Sequence, residues 1–341
     1  MLRAVTDLEQ QVRWWTYDRQ LLGGAAPDPA TALRDVVGVY SSHPSAPLSL
    51  HARCYSLDAK AFHALDVLRL PAMRSSIHML PRETAHLAFR ALPEPPSRTA
   101  GRLKTFGLEQ ERYRHLRSLV LAEATEPQSA RDLGELGEGD KEMKGVIGTM
   151  TREGSLVRVG ADGLRSNSLR YVAADVPEAD PDQALAWLVG EYLRAFGPAR
   201  VEDAVWWTGA TVTRVKAALA TVDTLDVGDG LLLRREDEAG FSAASAPGDV
   251  AVDLLPKWDA YTMGYPADGR GRFADPDVAE RCYDFRGDGM PVVLVEGQAA
   301  GTWSLAPGKS AKVEVDWFSK PGPAVKSALD DRVRAVRALL G

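Results

Sequence analysis

Cysteine is nearly missing from this 341-residue chain: Cys54 and Cys282 are the only two, far apart and in no CxxC spacing. That excludes a disulfide framework and a thiolate metal site, and both are expected as reduced thiols. No apolar run approaches the roughly 18 residues that a membrane span needs. The opening MLRAVTDLEQQVRWW has neither an apolar core nor a small-residue cleavage site, so a cytoplasmic protein without a membrane partner is expected. GxGxxG, a Walker loop, HExxH and GxSxG are also missing, which removes nucleotide-cofactor, metalloprotease and serine-hydrolase chemistry. All six histidines precede residue 116, and no two have i, i+4 spacing on a convincing helix; no metal and no cofactor are expected. An excess of positive charge is lacking too. A net charge of −6 and a pI near 5.6 argue against a protein that coats nucleic acid through a broad positive field.

What the chain does have is 45% hydrophobic and 26% charged residues, the balance of a globular protein. At this length about two to four packed units are expected. Its charge is unevenly spread. Between Arg74 and Arg117 stand nine Lys or Arg against four Glu, a local surplus of five. Such a stripe suits a narrow DNA contact, and equally a solvated helix face.

LEQQVRWWTYDRQLLG predicts a helix with Val12, Trp15 and Leu22 on one side, stopped by Gly23-Gly24. PDPATALRDVVGVY begins a second. GVYSSHPSAPLSLHAR opens on a polar turn, Tyr40-Ser41-Ser42-His43, in front of the helix-stopping Pro44. SLHARCYSLDAKAFHALDVL then reads as helical, SSIHML as a short strand between Pro-bounded helices, and PEPPSRTAG as a loop. The plan returns from Leu108: three helices, then a hairpin in LVRVGADGLRSNSLRYVAA around Ala161-Asp162-Gly163. A third pass runs through DPDQALAWLVGEYLRAFG, ARVEDAVWWTG and TVTRVKAALATV, with TLDVGDGLLLRRE and DEAGFSAAS strand-like. After Pro247 short β-rich runs follow: VAVDLLP, WDAYTMGY, a hairpin in VVLVEGQAAGTWSL at Glu296-Gly297, and AKVEVDWF. ALDDRVRAVRALLG closes the chain as an amphipathic helix. The expected fold is α+β: three tandem winged-helix units over 1–95, 96–178 and 179–246, and a small C-terminal β-barrel with a helix over 247–341.

Four segments, in order and spanning most of the chain, resemble the AlkZ and YcaQ-like winged-helix DNA glycosylases of bacteria. GVYSSHPSAPLSLHAR resembles the segment that carries that family's catalytic pair. LPAMRSSIHMLP resembles its Arg-Gly-Thr-Leu-His element, AFGPARVEDAVWWTG its Gly-Pro, Trp-rich helix start, and LLPKWDAYTMGY with PVVLVEGQAAGTW its barrel signature. The resemblance implies a C-shaped scaffold that holds duplex DNA, releases bulky alkylated purines, unhooks interstrand crosslinks in DNA repair, and uses no metal or cofactor. A monomer associated with the nucleoid is expected. The chain departs from the family at one place: the usual Gln, apolar, Gln or Asp is here Tyr40, Ser41, Ser42.

An N7-alkylated purine already carries positive charge, so its glycosidic bond needs only a placed water and stabilisation of an oxocarbenium-like transition state. His43 is a candidate to place or deprotonate that water, with Tyr40 and Ser42 orienting it and Ser41 at the periphery. The same residues also suit a helix boundary, with hydroxyls satisfying loose amides. Arg74, Ser75, Ser76 and His78 are expected on an alternating strand that puts Arg74, Ser76 and His78 on one face as phosphate contacts, although His78 taken alone reads better as a core histidine. Arg98, Arg102 and Lys104 are further phosphate candidates from the predicted loop. Trp206-Trp207 reads as core. Trp258 and Asp259 fall near the site by resemblance, whereas Asp259 alone reads as a turn residue capping amides. The rival readings are a winged-helix DNA-binding or lesion-sensing protein without catalysis and a protein-interaction scaffold.

Overall fold

An amphipathic helix starts the described chain and lays Val12 and Trp15 inward: α1, Asp7–Arg19. The computed structural model describes residues 7–160, 163–247, 250–306 and 312–341. Asp28 then caps α2, Pro29–Asp35, by accepting the Thr31 amide, and Pro29 occupies the first turn, where its missing N–H costs nothing. The two-residue strand β1, Val39–Tyr40, precedes α3, Ser45–His51, and α4, Ala59–His63. Strands β2, Val67–Pro71, and β3, Ile77–Pro81, form a hairpin, with Tyr40 opposite His78 on the other flank of β3. VLRLP is thus a strand rather than the end of a helix. It is a five-residue central strand with ladders on both sides, and with Arg69 in its middle and Pro71 at its end neither an apolar run nor a period of two marks it.

After α5, Arg82–Arg90, comes α6, Pro96–Phe106, where a loop was expected. Its prolines sit before and inside the first turn, and Gly107 ends it at φ 74, so the Pro-rich stretch is a helix start. Then follow α7, Gln110–Glu123, β4, Gln128–Ser129, α8, Ala130–Gly134, α9, Asp140–Glu153, and the pair β5, Leu156–Val159, and β6, Arg170–Ala173. Ala161 and Asp162 of the expected hairpin tip lie outside the described residues. Next are α10, Pro181–Phe196, α11, Val201–Thr208, α12, Val212–Leu219, β7, Thr224–Asp226, and β8, Leu232–Arg234. DEAGFSAAS is α13, Glu238–Ser242, and not a strand; its Phe241 packs edge-on against Trp15.

The order helix, short strand, helix, helix, strand, strand occurs in 29–81 and again in 110–173. In 181–234 the short strand is reduced to the bridge between Ala199 and Leu232. The strands of the first two stretches join into one six-stranded sheet, β1-β3-β2-β5-β6-β4, through a single paired position, Arg69 with Arg158. Residues 103–156 nevertheless enclose their own hydrophobic cluster, while a larger one runs from Tyr17 to Leu340.

The C-terminal strands β9, Val252–Leu255, β10, Val292–Val295, β11, Gln298–Leu305, and β12, Val313–Trp317, form an open sheet ordered β12-β11-β10-β9. The expected barrel is not closed: β9 and β12 are its two edges, and α15, Pro323–Leu340, lies beside β9. Helix α14, Pro276–Ala279, sits in the β9–β10 connection. WDAYTMGY in the same connection forms turns, with the Asp259 carboxylate accepting the Tyr261 amide at 2.9 Å. No described helix is long and apolar enough to cross a membrane.

One glycine fixes where the polar turn sits. Gly38, at φ 88, brings the chain into β1. A Cβ there would lie 2.6 Å from Leu80 Cδ2 and 2.8 Å from the Met79 carbonyl oxygen. Gly38→Ala is expected to lower unfolding free energy by about 1–3 kcal/mol, read from the denaturant midpoint.

Candidate active site

Tyr40 is held at the end of β1 by its ladder to β3, and the next two residues leave the sheet. Tyr40, Ser41 and Ser42 form one wall of a cavity of about 690 Å³. The opposite walls come from distant parts of the chain: Arg74 and Ser76 from the β2–β3 hairpin, Arg158 from β5, Asn167 from the β5–β6 connection, and Trp206 from α11. Trp258 and Asp288 come from the β9–β10 connection.

Arg74 and Ser75 do not lie on the strand. They occupy the hairpin tip at φ 53 and φ 58, and the strand begins only at Ile77. This left-handed turn throws the Arg74 guanidinium back over the cavity, 3.8 Å above the Trp206 ring. Its Nη2 donates to the Tyr40 hydroxyl and, at 3.4 Å, to the Met263 carbonyl. Burial raises the Tyr40 phenol above its ordinary range, against the opposing pull of Arg74. Protonated and already accepting from Arg74, that hydroxyl has its own hydrogen to give.

The Ser41 Oγ is buried, closed to the cavity's water, and without a hydrogen-bond partner among the described residues. His43 is turned away from the cavity: its ring packs edge-on against Phe62 at 5.6 Å, and neither ring nitrogen forms a bond of good geometry. Its backbone is clamped by Asn167, which accepts the His43 amide at 2.7 Å and donates to its carbonyl at 2.9 Å. Burial and the nearby Arg69 push the His43 imidazole below its usual value. His78 is buried and pushed down to about 4 by desolvation, with Nδ1 3.0 Å from the Ser76 carbonyl and its ring against Tyr40. Both rings are therefore neutral at pH 7.

Asp259 is buried beneath the cavity. Its carboxylate takes the Arg53 guanidinium in a two-pronged pair at 2.9 Å and 2.9 Å, and accepts Ser49 Oγ at 2.5 Å. The neighbouring Trp258, at φ 58, does reach the cavity. Arg98, Arg102 and Lys104 stand on α6. Arg98 lines a second groove of about 500 Å³ together with Ser75, Arg90 and Arg152, and Arg74 borders both spaces. Arg102 is ion-paired with Glu94, while Lys104 is exposed. Arg152 is pushed below its ordinary value by burial and by Arg102, Arg98 and Arg158, with Glu94 opposing. These guanidiniums make a cationic track leading from the groove towards the cavity.

Several wall residues were not site candidates in the sequence reading, among them Arg158, Asn167, Trp206, Arg286 and Asp288. Trp206 was assigned to the core with Trp207; only Trp207 is buried there. Asp288 is the one carboxylate among the described lining residues of the cavity, which include three arginines, and it acts electrostatically on Tyr40. The turn that holds it is tied by Asp284, whose Oδ1 accepts the amides of Arg286 at 2.9 Å and Asp288 at 3.1 Å. The Lys257 ammonium lies 3.6 Å from that same Asp284. The local signal was an acidic residue in a Gly-flanked turn, RGDGM, and nothing in it points at residue 40.

The family model described as DNA glycosylase AlkZ-like matches residues 33–339. The chain belongs to that family. The solved structure of Streptomyces sahachiroi DNA glycosylase AlkZ shares the fold at TM-score 0.75, with 19% sequence identity over 96% of each chain. No curated protein sequence matches the chain. Membership of the AlkZ-like family supports a DNA glycosylase role, and the solved structure shows the shared fold.

Proposed function

We propose that the chain is a monofunctional DNA glycosylase that hydrolyses the N-glycosidic bond of N7-alkylated or bulky-adduct purines in duplex DNA. The carrying observation is the cavity in which Tyr40, Ser41, Ser42 and Asp288 meet, walled by Trp206 and Trp258 and bordered by arginines, in a chain of the AlkZ-like family. The thrice-repeated element order is read as three winged helices, with the cationic track along Arg152, Arg98 and Arg74 holding the DNA backbone.

In this reading a flipped nucleotide enters the cavity with its base between the tryptophan walls. The C1′–N9 bond breaks, and its electron pair neutralises the charged purine. Water held by the Ser42 hydroxyl bonds to C1′ and passes its proton to the Asp288 carboxylate. The same negative charge steadies the developing oxocarbenium ion. Tyr40, fixed by Arg74, orients the water. His43, behind the turn and clamped by Asn167, is assigned a positioning role.

The test is release of free base from a duplex that contains N7-methylguanine. Tyr40→Phe with Ser42→Ala is expected to slow release by more than about tenfold while leaving duplex affinity in place. Tyr40 and Ser42 in place of the family's polar pair favour one other reading, a DNA-binding protein without catalysis. Duplex binding with no base release from the unaltered protein would establish that alternative.

A further inference from the structure

Arg69 lies in the middle of β2 and is only 5% exposed. Its Nη2 reaches the Met79 sulfur at 3.3 Å, and its Nε has no partner. Burial pulls its pKa down to about 10, with no carboxylate opposing that shift. Across the sheet it is paired in register with Arg158, so two guanidinium side chains leave the same face side by side. The Nε of Arg158 is buried and unpartnered as well. Like charges directly opposite one another weaken a ladder. Arg53 gives the contrast: it is equally deep, but Asp259 neutralises it.

A guanidinium does not lose its proton under ordinary conditions, so one left buried and unpaired weakens the fold unless an anion reaches it from outside. A way in exists. Arg69 lines a cavity of about 440 Å³ with Phe62, His63, Leu65, Val159 and Gly160, and no acid is among the described lining residues. A Cβ at Gly160 would lie in ordinary contact, 3.5 Å from the Arg69 Nη2, which places the head group beside the Gly160 backbone. The site adjoins the catalytic wall on two sides: Phe62 packs on His43, and Arg158 lines the main cavity.

We propose that this cavity is a phosphate subsite in which Arg69 takes a backbone phosphodiester of the strand whose nucleotide enters the main cavity. The planar fork of arginine matches two phosphate oxygens, and the apolar walls suit the adjoining sugar. The assignment rests on the glycosylase reading for the identity of the strand, but not for the presence of an anion.

The experiment compares the unaltered protein with Arg69→Met, which keeps the length and removes the charge. Arg69→Met is expected to unfold at the same or a higher temperature without ligand, because a desolvated charge has been removed. Its duplex affinity should fall about tenfold, and the slope of log affinity against log salt should shrink by about one. Inorganic phosphate, compared with chloride at equal ionic strength, should raise the melting temperature of the unaltered protein and not of Arg69→Met. Arg69→Lys should retain the salt slope. An unchanged slope and affinity in Arg69→Met overturns the proposal, and so does a marked loss of stability, which would make Arg69 a structural group. A lost phosphate response with an unchanged duplex slope overturns the DNA assignment in favour of free phosphate. If the unaltered protein binds no duplex yet responds to phosphate through Arg69, the glycosylase reading fails and the anion site stands.

Discussion

Asp288→Asn is expected to cut base release by about a hundredfold or more while leaving fold and duplex affinity intact. The substitution keeps the shape of the side chain and its place in the turn set by Asp284. It removes both the proposed acceptor for the water's proton and the only negative charge among the described lining residues, which also include Arg74, Arg158 and Arg286. The loss should fall on kcat rather than on binding, because the charge it answers exists only as the bond breaks. Single-turnover release from an N7-methylguanine duplex, beside binding of an undamaged duplex, checks both halves. Release at the unaltered rate would take Asp288 out of the reaction and leave water activation to the hydroxyls of the turn.

Asp259→Ala is expected to lower the unfolding free energy by about 3–5 kcal/mol. The substitution leaves the fully buried Arg53 charge without its counter-ion and frees Ser49 Oγ and the Tyr261 amide. Arg53 reaches from α3 to the connection after β9, with Gln20 Oε1 3.0 Å from its Nη2, so the pair ties the segment behind the polar turn to the C-terminal sheet. Chemical denaturation followed by tryptophan fluorescence measures the loss. Arg53→Met with Asp259→Leu should recover much of it, since a buried pair replaced on both sides by apolar groups costs little. Recovery would also separate stability from catalysis at a residue that the family resemblance put near the site.

The sequence was most legible where structure is local. The Glu296-Gly297 turn is where it was expected, with both residues at positive φ, 52 and 78, as a tight hairpin requires. The closing helix buries Leu329, Val336, Leu339 and Leu340, the apolar positions of its pattern. The polar turn was singled out because four hydrogen-bonding side chains precede a proline, and three of them do face a cavity. What stayed hidden depends on distance along the chain. Asp288 and Asn167 meet the turn only after 248 and 127 residues of intervening fold brought them to Tyr40. The strand VLRLP was masked by Arg69 in its middle and Pro71 at its end, and α6 by prolines that start a helix as readily as they break one.

Residues 103–156 keep a hydrophobic cluster of their own, and among the described residues their sheet pairs with the remainder only at Arg69 and Arg158. That partition bears on how such a molecule can change over generations. Substitutions inside the α6–α9 cluster draw first on the stability of that half. The wall around Tyr40 draws on both halves, because β5 supplies Arg158 and the β5–β6 connection supplies Asn167, so drift in the smaller core reaches the cavity through those two side chains.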